Sequence, residues 1–180
     1  MWRKNCEMKI LMIKTAPVWN DGLTSVVEKM VRYVSSNAIK IDVVAVNEPS
    51  KQFKDIVEKR GGNIYIVQRH LSRPLHYVYE LSRIIKRNQY DIVHAHGNSS
   101  TLALELLAAK IGGCGVRIAH SHNTSCKYIF LHRLLRPLFN AMYTTGFACS
   151  ENAGKWLFGK RHFTIINNAI ELNKFVFDLA

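Results

Sequence analysis

The sequence contains no CxxC pair. Its four cysteines, Cys6, Cys114, Cys126 and Cys149, are scattered, a pattern that suits reduced thiols and fits neither a zinc ribbon nor a disulfide framework. No apolar run reaches the length of a membrane span, and Lys14 cuts the first one too short for a signal-peptide core. A soluble, cytoplasmic protein is therefore expected. The phosphate-binding fingerprints GxGxxG and GxxxxGKS/T are both missing, so neither a standard dinucleotide site nor a P-loop is supported. No acidic cluster follows the first apolar run, which excludes a response regulator. Zinc-finger spacing, aromatic RNA-binding signatures and basic low-complexity arms are likewise missing, so nucleic acid is not an expected partner. Acidic residues are scarce: 13 Asp and Glu against 25 Lys and Arg leave a net charge of +12. Such a balance favours anionic partners, among them phosphorylated ligands and an acidic membrane surface.

What is present is a recurring strand–turn–helix unit. Residues Lys9 to Ile13 form a short continuous apolar run, as in a strand buried on both faces of a parallel sheet. After a loop with Pro17, Asn20, Asp21 and Gly22, Ser25 and Glu28 have capping-box spacing, and Val26, Val27, Met30, Val31 and Val34 lie on one helical stripe. Strands follow at 39–46, 64–67, 92–94, 116–119, 147–149 and 163–166. Helices are expected at 51–60, 75–87 with Pro74 in the first turn, 99–111, 128–143 and 151–158. Gly61-Gly62 and Gly112-Gly113 stop two of them. Seven strands alternating with six helices predict a single α/β, Rossmann-like domain with an open parallel sheet and helices on both faces. Residues 1–7 read as an extension before Met8, 8–166 as the domain, and 167–180 as the start of a connector. A chain of this length buries roughly 70% of its unfolded surface without disulfides or metal.

Ligands of open parallel sheets bind beyond the carboxyl ends of the strands. The residues there are polar: Thr15, Asn47, Arg69 and His70, His94 and His96, His120 and His122, Ser150, Asn167 and Asn168. Two HxH pairs thus fall at equivalent ends of consecutive strands, and residues two apart in a strand share a side. Four histidines can approach one crevice. For His94 and His120 the alternative is a core histidine satisfied by backbone. Clustered imidazoles also raise a metal-dependent hydrolase. Against it, Gly97-Asn98 and Asn123-Thr124 follow the pairs and no nearby Asp or Glu completes or orients a metal site. No metal is expected. The turn before the first helix, with Gly22, offers free N–H groups to a phosphate, although one glycine in such a turn is ordinary loop chemistry. The segment 127–142 joins Lys127, Arg133 and Arg136 to many large apolar residues. It reads either as a core helix with a basic edge or as a helix lying on an anionic membrane.

The order of features resembles the N-terminal domain of retaining glycosyltransferases of family 4, which have the two-Rossmann GT-B fold. The resemblance runs from about Met8 to Phe175. It rests on MKILMI, Asp91-Ile-Val-His-Ala-His96, Arg117-Ile-Ala-His-Ser-His-Asn-Thr124, Cys149-Ser-Glu151 and Ile166-Asn-Asn-Ala-Ile-Glu-Leu-Asn-Lys-Phe175. The resemblance implies an acceptor-side domain, with a nucleotide-sugar donor, a saccharide or lipid-linked acceptor, and no metal or other cofactor. His122 matches the histidine that reaches the donor sugar near the reacting centre. His96, with Asn98, Asn123, Thr124 and Ser150 around it, matches the crevice, and Gly22 matches the glycine region near the donor diphosphate. One departure is Asp21, where the family commonly has a second glycine; a carboxylate there repels a diphosphate unless it is turned away. The second GT-B domain lies outside this sequence, so a further domain or partner chain is expected to supply it. A non-catalytic acceptor-binding module is the alternative to an enzyme half.

Overall fold

The computed structural model describes residues 7–19, 21–69 and 72–168. Its elements alternate as strand and helix: β1 (Met8–Lys14), α1 (Gly22–Val34), β2 (Ile39–Ala45), α2 (Lys51–Lys59), β3 (Ile64–Ile66), α3 (Pro74–Asn88) and β4 (Ile92–His96). A 3-10 turn (Ser100–Leu102) leads into α4 (Ala103–Ile111), followed by β5 (Val116–Ser121), α5 (Ile129–Met142), β6 (Thr145–Ala148), α6 (Glu151–Phe158) and β7 (Thr164–Ile165). All seven strands are parallel, in the order β3-β2-β1-β4-β5-β6-β7. The expected α/β class, strand number and single sheet are therefore those observed.

The strand alternation sorts the core into two. Leu11, Ile13, Val93, Ala95 and Ala119 face one side, under Leu81 and Ile85 of α3, Leu106 of α4, Phe139 of α5 and Leu157 of α6. Ile10, Met12, Ile41 and Val43 face the other, under Val27 and Val31 of α1 and Phe53 and Val57 of α2. Because the chain moves outward from β1 in one direction and then from β4 in the other, right-handed crossovers put the two helix sets on opposite faces. The split between β1 and β4 is the topological switch point.

Several boundaries differ from expectation. The capping box at Ser25 and Glu28 is not used: α1 begins at Gly22, and the Asp21 side chain accepts from the Thr24 amide at 2.7 Å. Asp is as good an N-cap as Ser and is already anchored by a lysine below. Strand β4 runs on to His96 and β5 to Ser121, because their pairing continues through His96 and His120. Ser99 caps the 3-10 turn through the Thr101 amide at 3.3 Å, and α4 proper starts later. The edge strand β7 is only Thr164–Ile165, both exposed. Apart from Glu7, Asn167 and Asn168, the expected extension 1–7 and connector 167–180 lie outside the described residues, as does His70.

The turn from α2 to β3 passes so close to β2 that only glycine fits. A Cβ on Gly62 stands 2.2 Å from the Ile41 carbonyl oxygen and 2.9 Å from Val57 Cγ1. Gly62→Ala is therefore expected to cost about 2–3 kcal/mol, since backbone rather than a flexible side chain is in the way. Gly115, with nothing within 4 Å of its Cβ position, provides the control, and its alanine variant should stay within about 0.5 kcal/mol. Urea denaturation measures both; equal midpoints for the two variants contradict the close approach.

Candidate functional site

At the switch point, Thr15 spans the gap between β1 and β4. Its amide and its hydroxyl both donate to the His96 carbonyl, at 3.3 and 2.9 Å. Gly97 then turns away from β4 with its amide on the His120 carbonyl at 3.0 Å, and a Cβ there would lie 2.8 Å from Thr15 Oγ1. This seam fixes the carboxyl ends of β1, β4 and β5 against one another.

On the α1/α2 side of β4 and β5 the two HxH pairs form one stack. Rings two apart in sequence lie over each other, with centroids 4.2 Å apart for His94 and His96 and 4.1 Å for His120 and His122. Across the strands His94 Nε2 meets His120 Nδ1 at 3.1 Å, and His96 Nδ1 meets His122 Nε2 at 3.0 Å. Phe147 of β6 packs its ring edge-on against His94 and His120. His94 and His120 are thus core histidines, and each has one nitrogen partnered by the other ring rather than by backbone. His96 is fully buried, and His122 is the half-buried member at the open end.

An imidazole-to-imidazole hydrogen bond needs one N–H and one lone pair, so each pair is held when both rings are neutral. The surroundings enforce that. Burial, then the neighbouring His122, lowers His94 to about 3. Burial and the adjoining rings put His96 well below the ordinary histidine value, with the Lys14 charge adding to the effect, and push His120 down as well. His122 falls to about 4 through burial, which the Asn168 side chain partly opposes. His94, His96 and His120 offer nitrogens within 4.8 Å of one another. It is an all-imidazole set whose members are already paired, and among the described residues no carboxylate is grouped with it. Nε2 of His96 and of His120 has no partner among the described residues.

The turn over the switch point carries a charge pair between a buried lysine and an exposed aspartate. Lys14, fully buried at the end of β1, donates to the Ala16 carbonyl at 3.3 Å and to the Pro17 carbonyl, and lies 3.2 Å from Asp21 Oδ2. Burial lowers the Lys14 pKa while Asp21 pulls it back. Burial raises Asp21, yet the Thr24 amide and Lys14 outweigh it and leave the carboxyl below its usual range. Asp21 is therefore turned into its own helix and its own lysine. Gly22 is the first residue of α1, with open space around it. In the sequence Lys14 is visible only as a break in an apolar run; its place under the turn gave no signal.

The remaining expected site residues divide. Asn98 joins the crevice loops, its side chain donating to the Ser125 carbonyl at 2.5 Å while its carbonyl accepts from Trp156 Nε1 at 2.8 Å. Asn123 and Thr124 are exposed at the rim, with the Thr124 amide on Asn123 Oδ1 at 2.7 Å. Ser150 caps α6 through the Ala153 amide at 3.3 Å. Arg69 does not face the crevice: it is locked to the fully buried Glu105 at 2.6 Å and donates to the Thr101 carbonyl at 3.0 Å. Lys127 and Arg133 are exposed, whereas Arg136 turns inward, with Nη1 3.3 Å from His132 Nε2. His132 and Trp156, not singled out from sequence, stack at 5.0 Å, and His132 Nδ1 accepts from the Ser100 amide at 3.1 Å.

The model of Glycosyltransferase Family 4 matches residues 20–174. The chain is 30% identical over 167 residues to the Bacillus subtilis protein EpsF, named as a glycosyltransferase, covering 86% of this chain and 43% of that protein. It thus spans about two fifths of this relative's length. The fold is similar to that of HepE from Anabaena, solved with UDP and glucose, with a TM-score of 0.64 at 16% identity over 93% of this chain and 46% of that one. It is also similar to S. aureus MnaA, solved with UDP, with a TM-score of 0.62 at 18% identity over 96% and 49%.

The stack predicts an acid-labile fold. Unfolded histidine titrates near 6.5 and these rings titrate lower when folded, so the unfolded chain binds more protons between about pH 6.5 and 4. Stability is then full above about 6.5 and falls with pH by up to about 1.4 kcal/mol per unit for each ring. His94→Gln should make this slope shallower by one proton's worth while leaving the alkaline side flat. Guanidinium titrations from pH 7 to 4 test it, and an unchanged slope in the variant overturns the assignment.

Proposed function

Because this chain belongs to glycosyltransferase family 4, we propose that it is the acceptor-side half of a retaining glycosyltransferase. In this reading it moves a sugar from a nucleotide sugar to a saccharide or lipid-linked acceptor in envelope polysaccharide synthesis. The observation that carries the reading is the His96–His122 pair at the carboxyl ends of β4 and β5, next to the β1/β4 switch point.

Retaining transfer demands that the departing diphosphate be stabilised and the acceptor hydroxyl be held on the face the leaving group occupied. His122 suits a contact to the donor sugar. Its ring is neutral at neutral pH, so it offers a hydrogen bond without adding a charge, and His96 sets which nitrogen carries the proton. Asn98, Asn123 and Thr124 border the same crevice and would take acceptor hydroxyls. At Gly22 the open backbone permits a close approach, while the tethering of Asp21 to Lys14 and Thr24 offsets the carboxylate's repulsion of a diphosphate. The other contacts to the donor belong to the second GT-B half that family 4 implies.

Transfer should be measured with this chain together with a polypeptide supplying that second half. His122→Ala is expected to lower the initial rate at least ~100-fold, the low end for a positioned catalytic contact, and to leave thermal melting near wild type. Loss of melting together with rate assigns His122 a structural role. Unchanged rate refutes the donor contact, and donor and acceptor binding without any transfer favours the binding module.

A further inference from the structure

We propose that the notch between the β1–α1 turn and the first turn of α2 is a sugar-binding subsite, which holds a residue of the acceptor saccharide remote from its reacting hydroxyl. The assignment to an acceptor rests on the transfer reading above, whereas the binding of sugar does not. The notch measures about 60 Å³ and is lined by Trp19, Thr24, Glu28, Ser50, Gln52 and Phe53, room for several waters or for one edge of a sugar ring. Trp19 is 67% exposed, but its backbone is fixed on both sides. The Val18 amide donates to Asn47 Oδ1 at 2.6 Å, Val18 itself is buried, and the Trp19 carbonyl accepts from the Asp21 amide at 2.9 Å. An indole held out on an ordered turn is a flat apolar surface already in place, so a ligand meets it without first ordering the loop. Thr24 supplies the second observation. It lines the notch, is only 6% exposed, and its hydroxyl has no hydrogen-bond partner among the described residues. A buried hydroxyl without a partner costs the fold free energy, and a ligand hydroxyl entering the notch relieves it.

The polar groups name the occupant. Arg32 stands 3.6 Å from one carboxylate oxygen of Glu28, too far for a hydrogen bond. An ionised carboxylate only accepts, so it calls for hydroxyl donors and repels a phosphate. The Gln52 amide and the Thr24 hydroxyl each donate and accept. A neutral pyranose meets all of these at once, with adjacent hydroxyls that donate and accept and a C–H face to lie on the indole. The strand order β2-β1-β4-β5 puts the notch, beyond the carboxyl ends of β1 and β2, on the same rim of the sheet as His122 beyond β5. Two to three strand spacings separate the two, roughly 10–15 Å. A sugar in the notch is therefore not the one that reacts beside His122 but one further along the same chain. The acceptor is then a saccharide of more than one residue.

The test follows the Trp19 indole N–H in proton–nitrogen correlation spectra of the full chain, with no donor present and no transfer measured. Trp19→Ala identifies the signal by removing it. Maltotriose, cellotriose and triacetylchitotriose are the probes, with uridine as a control for stacking of a base. A saturable shift with at least one trisaccharide and none with uridine is expected. Affinity read from saturation transfer to the saccharide should fall about tenfold or more in Trp19→Ala and about three- to tenfold in Glu28→Gln and in Thr24→Val. Thr24→Val should also raise the urea midpoint, since it removes a hydroxyl without a partner; a lowered midpoint shows that the hydroxyl serves the fold and overturns its place in the subsite. Tyr33→Ala, which removes an aromatic side chain 71% exposed at the other end of α1, should leave binding unchanged. No shift with any trisaccharide, an equal shift with uridine, undiminished affinity in Trp19→Ala, or the same loss in Tyr33→Ala overturns the proposal. None of these outcomes touches the rate effect of His122→Ala, so the subsite and the transfer reading fail separately.

Discussion

A parallel sheet covered on both faces ordinarily fills its central strands with aliphatic side chains, because a buried polar atom without a partner costs more than a hydrogen bond returns. Strands β4 and β5 depart from this with four histidines on one face, and the arrangement around them follows from having to satisfy those rings without water. One nitrogen of each ring pairs across the strands. Each pair needs at least one neutral ring to accept, and burial disfavours the charged form of all four. Phe147 completes the enclosure. The outermost ring, His122, is the half-buried member of the four, and the three buried rings are the footing on which it stands.

A buried charge sits beside this neutral footing and is balanced differently. Lys14 is an ammonium without solvent, and such a group persists only where carbonyls and a counter-charge surround it. The carbonyls of the β1–α1 turn and the carboxylate of Asp21 provide both. The same carboxylate caps α1, so the turn, the helix start and the lysine are specified together. This accounts for an aspartate standing where a second glycine is usual in the family: with Lys14 beneath it, the carboxylate has an internal role and is drawn away from the open side of the turn.

How much of this was legible in the sequence depends on the range of the interaction. The apolar run of β1, the glycine stops after α2 and α4, and Pro74 at the start of α3 are local signals, and the elements they imply are present. The HxH spacing likewise implied two rings on one side of each strand. It could not tell which rings pair across strands, since that depends on the slant of a parallel ladder and on the register His96 to His120. The helix start was misread because Ser25 and Glu28 satisfy a local pattern, whereas Asp21 wins through a lysine seven residues away that the sheet places beneath it. Arg69 looked free for a ligand because its partner, Glu105, is 36 residues on and becomes adjacent only once α4 has packed. The four histidines at the ends of β4 and β5 read as approaching one crevice; three of them, His94, His96 and His120, are interior.

Helix α5 connects these layers. Its inner side places His132 against Trp156 and holds the Ser100 amide, while Trp156 holds the Asn98 carbonyl. The loop that leaves His96 is therefore held by the sheet at Gly97 and by α6 and α5 beyond it. The His132 nitrogen can accept that amide only as a neutral ring, and burial with Arg136 and Arg133 nearby lowers its pKa in keeping with that role. The outer side of the same helix carries Phe130 and Leu134, both exposed. A rigid element that grips the crevice loop on one side and presents an apolar, cationic surface on the other sets a fixed geometry between them.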